Sequence, residues 1–152
     1  MFPRLLDGTR DIIHSHSHVK TWKNMEKLML TGTGKTKAIG VSNHSKLYLE
    51  QLLAEATIVP SVNQIENHPD LPQQEIVDFC KEKGIHVTAY SPLGSTGSPL
   101  LTAEPIVEVA NKRGFSPATI LLSWHRMFLS FSTPRLYSTN SIYSCTWLLG
   151  AP

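Results

Sequence analysis

The sequence predicts an α/β fold built on a parallel sheet. Two observations carry that expectation. Three short apolar runs begin near residues 38, 61 and 86, so they recur roughly every two dozen residues, the scale of a strand–helix–strand unit. Segments with helical periodicity alternate with them between residues 21 and 125. The runs read as apolar throughout, which suggests a parallel sheet covered on both faces.

Each element has its own local reason. "TWKNMEKLMLTG" puts Trp22, Met25, Leu28 and Met29 on one helical face, with Thr21 as N-cap and Gly32 as the stop. "AIGV", residues 38–41, is the first strand. Ser45 then caps a helix whose stripe is Leu49, Leu52, Leu53 and Ala56. "SVNQIE" is the second strand. "PQQEIVDFCKEKG" is a helix with Ile76, Phe79 and Cys80 inward and Gly84 at its end. "IHVTAY" is the third strand. "LLTAEPIVEVANKRG" reads as one helix with Pro105 in its first turn and Gly114 after it. Ser116 and Pro117 open a further helix, "SPATILLSWH". Periodicity leaves a barrel and a doubly wound sheet both open. No GxGxxG follows a strand, which weighs against a Rossmann dinucleotide site.

Composition narrows the function. The 152 residues can build one domain with a core. The net charge is +2, with no basic stripe and interleaved aromatics, so nucleic acid is not an expected partner. No run is long enough to span a bilayer, and no membrane association is expected. The two cysteines, Cys80 and Cys145, form neither a CxxC pair nor a zinc spacing, in keeping with a reducing, cytoplasmic setting.

All three strands end in polar residues. The first ends in Ser42 and Asn43. The second carries Asn63, Gln64, Glu66, Asn67 and His68. The third ends in Tyr90 and Ser91, followed by "PLGS". In parallel α/β folds the carboxyl ends of strands face the ligand crevice. Amides offer donors and acceptors together, as a carboxamide or a sugar requires. A tyrosine ring suits stacking on a flat heteroaromatic. The small residues and backbone N–H groups of "SPLGSTGS" suit a phosphate. Such residues also cluster at ordinary strand-to-helix turns.

Five stretches in order, "TWKNMEKL", "KAIGVSN", "VNQIENHP", "CKEKGIHVTAYSPLGS" and "SPATILLSWH", resemble the aldo-keto reductase family. The resemblance implies a partial (β/α)8 barrel, with about three parallel βα units plus an extra helix. It implies an oxidoreductase that reduces aldehydes and ketones with NADPH, or less often NADH. It assigns Ser42, Asn43 and Gln64 to the nicotinamide carboxamide and Tyr90 to stacking on the ring. Ser91, Leu93 and Ser95 match the loop that crosses the pyrophosphate.

The resemblance divides the chain into a loop segment 1–20, a partial oxidoreductase domain 21–125 and an unmatched, irregular tail 126–152. The family's catalytic tetrad (tyrosine, lysine, aspartate and histidine) has no match in residues 1–20, and no "HWP" occurs. No catalytic residue is therefore assigned. The expectation is a fragment with part of a nicotinamide site, inactive alone and able to self-associate through free strand edges. The alternative is a non-catalytic α/β piece that acts, if at all, as an interaction partner. After His125 the family's Lys-Ser…Arg motif for the adenosine 2′-phosphate is also absent. "HSHSH" places His14, His16 and His18 at alternate positions, but no further ligand stands near in sequence. The tract reads as a solvated loop, and no metal site is assigned.

Overall fold

The computed structural model describes residues 4–10, 17–32, 36–95, 97–128 and 131–132. His14, His16 and residues 133–152 lie outside them. Residues 4–10 form a tight turn in which the Asp7 carboxylate accepts from the Thr9 backbone N–H at 2.9 Å.

The first helix, α1, spans His18–Leu30. It begins one turn earlier than expected. Ser17, extended at φ −98°, takes the cap position, and the Thr21 N–H donates back to its carbonyl at 3.1 Å. Trp22 is buried, and Met25 and Met29 pack beside it. Leu28, expected inward, is 61% exposed, and its place on the buried stripe is taken by Glu26. A charged residue on an apolar stripe is invisible to a search for hydrophobic periodicity.

The buried carboxylate has a task. Its Oε1 accepts from the backbone N–H groups of Thr57 at 2.7 Å and Ile58 at 2.8 Å, and its Oε2 pairs with Lys23 at 3.4 Å. Trp22 Nε1 donates to the Ile58 carbonyl at 3.1 Å. Burial by itself would raise the Glu26 carboxyl. The Ile58 and Thr57 donors and the Lys23 ammonium outweigh it and hold the group below its ordinary 4.5. A lowered folded-state pKa contributes stability above the unfolded value that is lost as pH falls through the folded one. Thermal melts should therefore show a Tm that declines below about pH 4.5, with a shallower decline in Glu26→Gln. At neutral pH Glu26→Gln should melt several degrees lower. Parallel Tm–pH curves for the two proteins would contradict this.

Strand β1, Val41–Ser42, is followed by α2, Lys46–Glu55, whose Ser45 hydroxyl accepts from the Tyr48 N–H at 3.4 Å, as the sequence predicts. Strand β2, Val62–Glu66, leads through Gln73 to α3, Gln74–Glu82, and β3, His86–Tyr90, follows. Leu49 of α2 and Val77, Phe79 and Cys80 of α3 form a core with Ile65, Ile85, Val87 and Ala89. The single helix expected after the third strand is interrupted. A 3-10 turn, Leu100–Thr102, precedes α4, Glu104–Arg113, which ends on Gly114 at φ 69°. Helix α5, Pro117–Phe128, is capped by the Ser116 hydroxyl, which accepts from the Thr119 N–H at 3.2 Å.

The strands pair in parallel and in chain order, β1–β2–β3–β4, where β4 is Phe131–Ser132. The order decides between the two architectures left open by periodicity. A doubly wound sheet reverses its strand order at a switch point, whereas a barrel adds each strand beside the last. The two-residue β4 adds to the three βα units that the sequence predicts. It and the end of α5 fall in the segment 126–152.

The sheet also differs from an apolar-throughout pattern. Asn63, Ile65, Val87 and Ala89 are buried, while Gln64 and His86 are exposed. Alternation along a strand sends these two sets to opposite faces. One face packs on the helices. The other carries Ser42, Gln64, Glu66, Thr88 and Tyr90, all partly or fully exposed.

Candidate functional site

That second face meets the carboxyl ends of the strands. Ser42 lies beside Gln64 and Gln64 beside Thr88, while Glu66 lies beside Tyr90. The Gln64 carbonyl gathers the end of β1: the Ser42 hydroxyl and the Asn43 N–H both donate to it at 2.9 Å. Asn43 sits in the left-handed region at φ 57°, which asparagine tolerates better than most side chains. This turns its amide back over the sheet, where Oδ1 accepts from the Tyr90 hydroxyl at 3.0 Å. The bond spans from β1 to β3 across β2. The Gln64 amide and Asn43 Nδ2 make no hydrogen bond among the described residues, so both are available to a ligand.

Asn63, one residue before Gln64, holds this arrangement from beneath. It is fully buried; its Oδ1 accepts from the His44 N–H at 3.3 Å and its Nδ2 donates to the His44 carbonyl at 2.9 Å. The turn carrying Ser42 and Asn43 is thus clamped to β2 through a side chain. The polar run at the end of the second strand contains Asn63, but nothing in residue type separates a buried clamp from an exposed ligand group. Cys80 lies 3.8 Å from the same Nδ2, and burial pushes its thiol up, as for a core cysteine.

The loop after β3 starts at Ser91, also left-handed at φ 51°. The Gly94 N–H donates to the Ser91 carbonyl at 2.8 Å, and the Ser98 N–H to the Ser95 carbonyl at 2.9 Å. Gly94 has φ 84°, and a Cβ there would collide with the Ser98 side chain, so the turn requires glycine. Ser91 and Leu93 are half-buried and Ser95 is exposed. No hydrogen bond joins their side chains to the Ser42–Asn43–Gln64–Tyr90 group among the described residues. The structure therefore gathers those four and places the other three in the adjoining loop.

Behind the loop lies His125, buried on α5, with Nε2 donating to the Pro92 carbonyl at 3.2 Å. Burial lowers its pKa; the Pro92 carbonyl acts in the opposite sense, and neighbouring His68 lowers it further. His68 Nε2 lies 3.6 Å from Glu66 Oε1. Nothing in the residue pattern marks His125 for a part in holding this loop. The described residues hold no cluster of three or more metal-ligating side chains, and no described helix is long and apolar enough to cross a membrane.

The ordered parallel sheet and its polar rim define a barrel-type α/β protein, with a candidate ligand site at the strand ends. The profile of the Aldo/keto reductase family matches residues 10–138, and the chain belongs to that family of oxidoreductases. The match extends past both bounds of the segment 21–125. The chain is 68% identical over 124 residues to a D-galacturonate reductase of Hypocrea jecorina, covering 82% of this chain and 40% of that protein. It is 50% identical over 125 residues to aldehyde reductase YPR1 of Saccharomyces cerevisiae, covering 80% of this chain and 39% of the relative. It thus spans about two fifths of the length of these curated relatives. Among solved structures, an aldose reductase from Giardia lamblia superposes with a TM-score of 0.84 at 32% identity, covering 99% of this chain and 52% of that one. An aldo-keto reductase solved with NADPH gives a TM-score of 0.78 at 26% identity, covering 93% of this chain and 45% of that one.

Proposed function

We propose that this chain carries the nicotinamide-facing part of an NADPH- or NADH-dependent carbonyl reductase. The observation that supports it best is the convergence of Ser42, Asn43, Gln64 and Tyr90 at the strand ends. Their chemistry fits the group. A carboxamide needs a donor and an acceptor held in one plane, and the free Gln64 amide and Asn43 Nδ2 offer both. The Ser42 hydroxyl, anchored on the Gln64 carbonyl, keeps its lone pairs for a third contact. The Tyr90 ring, fixed through its hydroxyl to Asn43, presents a stacking face. Ser91, Leu93 and Ser95 would follow the pyrophosphate with hydroxyls and backbone N–H groups. When bound, the cofactor supplies the hydride, and the protein supplies orientation.

The substrate in this reading is a small carbonyl compound. The 68% identity to a D-galacturonate reductase makes a sugar-derived aldehyde the first to try. A cytoplasmic setting goes with the reading. The outer edges of β1 and β4 carry no further strand among the described residues, so copies of the isolated chain could pair there.

The test is a titration with NADPH followed by nicotinamide fluorescence. Binding should be saturable but weaker than micromolar, because the charge-assisted contacts of a 2′-phosphate motif are absent from this sequence. Tyr90→Ala should weaken it by about two- to tenfold through loss of stacking. An unchanged isotherm for the variant, or no saturation with the unaltered chain, would remove the proposal.

A further inference from the structure

We propose that His18 and His44 form a two-imidazole site for a divalent transition-metal cation, zinc being the natural probe. His18 opens α1 and His44 lies in the turn between β1 and α2. The fold sets their ring centroids 5.5 Å apart, with the planes at 71°. Two imidazoles on one tetrahedral zinc, with Zn–N bonds of about 2.0–2.1 Å, have ring centres about 5 Å apart. The observed separation is close to that value, and ligation asks the two rings to turn His18 Nδ1 and His44 Nε2 toward one point.

The hydrogen bonds set the tautomers. His18 Nε2 faces the Tyr48 carbonyl at 3.3 Å, and His44 Nδ1 faces the Ser42 carbonyl at 3.1 Å. A carbonyl oxygen can only accept, so each of these nitrogens carries the proton. His18 Nδ1 and His44 Nε2 are left as lone pairs with no hydrogen bond among the described residues. This is the arrangement that metal-binding imidazoles adopt: one nitrogen orients the ring on a carbonyl while the other ligates. The Tyr48 ring packs against both, at 5.0 and 6.2 Å, and limits their rotation. Both histidines are half-buried, so a hydrated cation can reach them and keep water in its remaining positions. Imidazole suits zinc, copper and nickel rather than magnesium or calcium. His44 follows Asn43, so a cation there would brace the turn that carries that amide. The site itself does not depend on the cofactor reading.

The test is calorimetric titration of zinc chloride into the full chain at about pH 7.5, above the ordinary imidazole range of about 6.5. His18→Phe and His44→Phe keep a ring in each place, and His44→Gln serves as a second variant should phenylalanine disturb the fold. Each is expected to lose at least about tenfold in affinity. Zinc should raise the Tm of the unaltered chain and leave that of the variants unchanged. His14→Ala/His16→Ala should keep the binding. Absence of heat with the unaltered chain would overturn the proposal. So would binding that survives His44→Phe but vanishes in His14→Ala/His16→Ala.

Discussion

Trp22→Ala is expected to destroy the cooperative unfolding transition of this chain. Trp22 is 1% exposed and packs with Ile39 and Leu52 in a core cluster between α1 and α2. Removing a buried tryptophan typically costs about 3–5 kcal/mol, because the cavity left behind collapses only in part. The Ile58 carbonyl also loses the indole N–H donor. Intact domains are stable by only about 5–15 kcal/mol, and the described cluster around Trp22 holds just Ile39 and Leu52 as further buried residues. Trp22→Phe, which keeps most of the volume, should retain a transition at lower temperature. Circular dichroism melts decide the matter. A variant Trp22→Ala that melts cooperatively within a few degrees of the unaltered chain would show that α1 contributes little.

The second large effect concerns turnover. The 152-residue chain should show no measurable reduction of a sugar-derived or simple aldehyde with NADPH. Carbonyl reduction needs a proton donor within hydrogen-bond reach of the developing alkoxide. General acid catalysis typically contributes about two to four orders of magnitude. Among the described residues the phenol on the rim is that of Tyr90, and its hydroxyl donates to Asn43 Oδ1. The expected inactivity rests on the reading that the family's tetrad has no counterpart in this chain, whose sequence contains no "HWP". NADPH oxidation by a purified sample at rates of order 1 per second or faster would contradict this expectation.

Much of this arrangement is legible in the residues. Ser45, Ser116 and Gly114 mark helix ends because capping is local chemistry, and each stands where the pattern puts it. The chemistry of Ser42, Asn43, Gln64 and Tyr90 is readable from residue type at strand ends. Their mutual contact is not, since the Asn43–Tyr90 bond depends on sheet register and on one left-handed residue. Glu26 and Asn63 escape for a related reason. Each is a polar side chain buried to satisfy backbone groups distant in sequence, and periodicity treats both as exposed. The covered and open faces of the sheet are likewise hidden in the sequence, because Val62, Val87 and Ile65 look alike until the strands are paired. The short strand Phe131–Ser132 carries too few residues to announce itself.

Whether the strand-end rim receives a nicotinamide can be read from saturation-transfer NMR on the chain with NADPH. Saturating the protein's aliphatic protons should label the nicotinamide ring more strongly than the adenine, and Asn43→Ala with Tyr90→Ala should abolish that preference. Labelling confined to the adenine, or a nicotinamide signal indifferent to both substitutions, would contradict the proposed site.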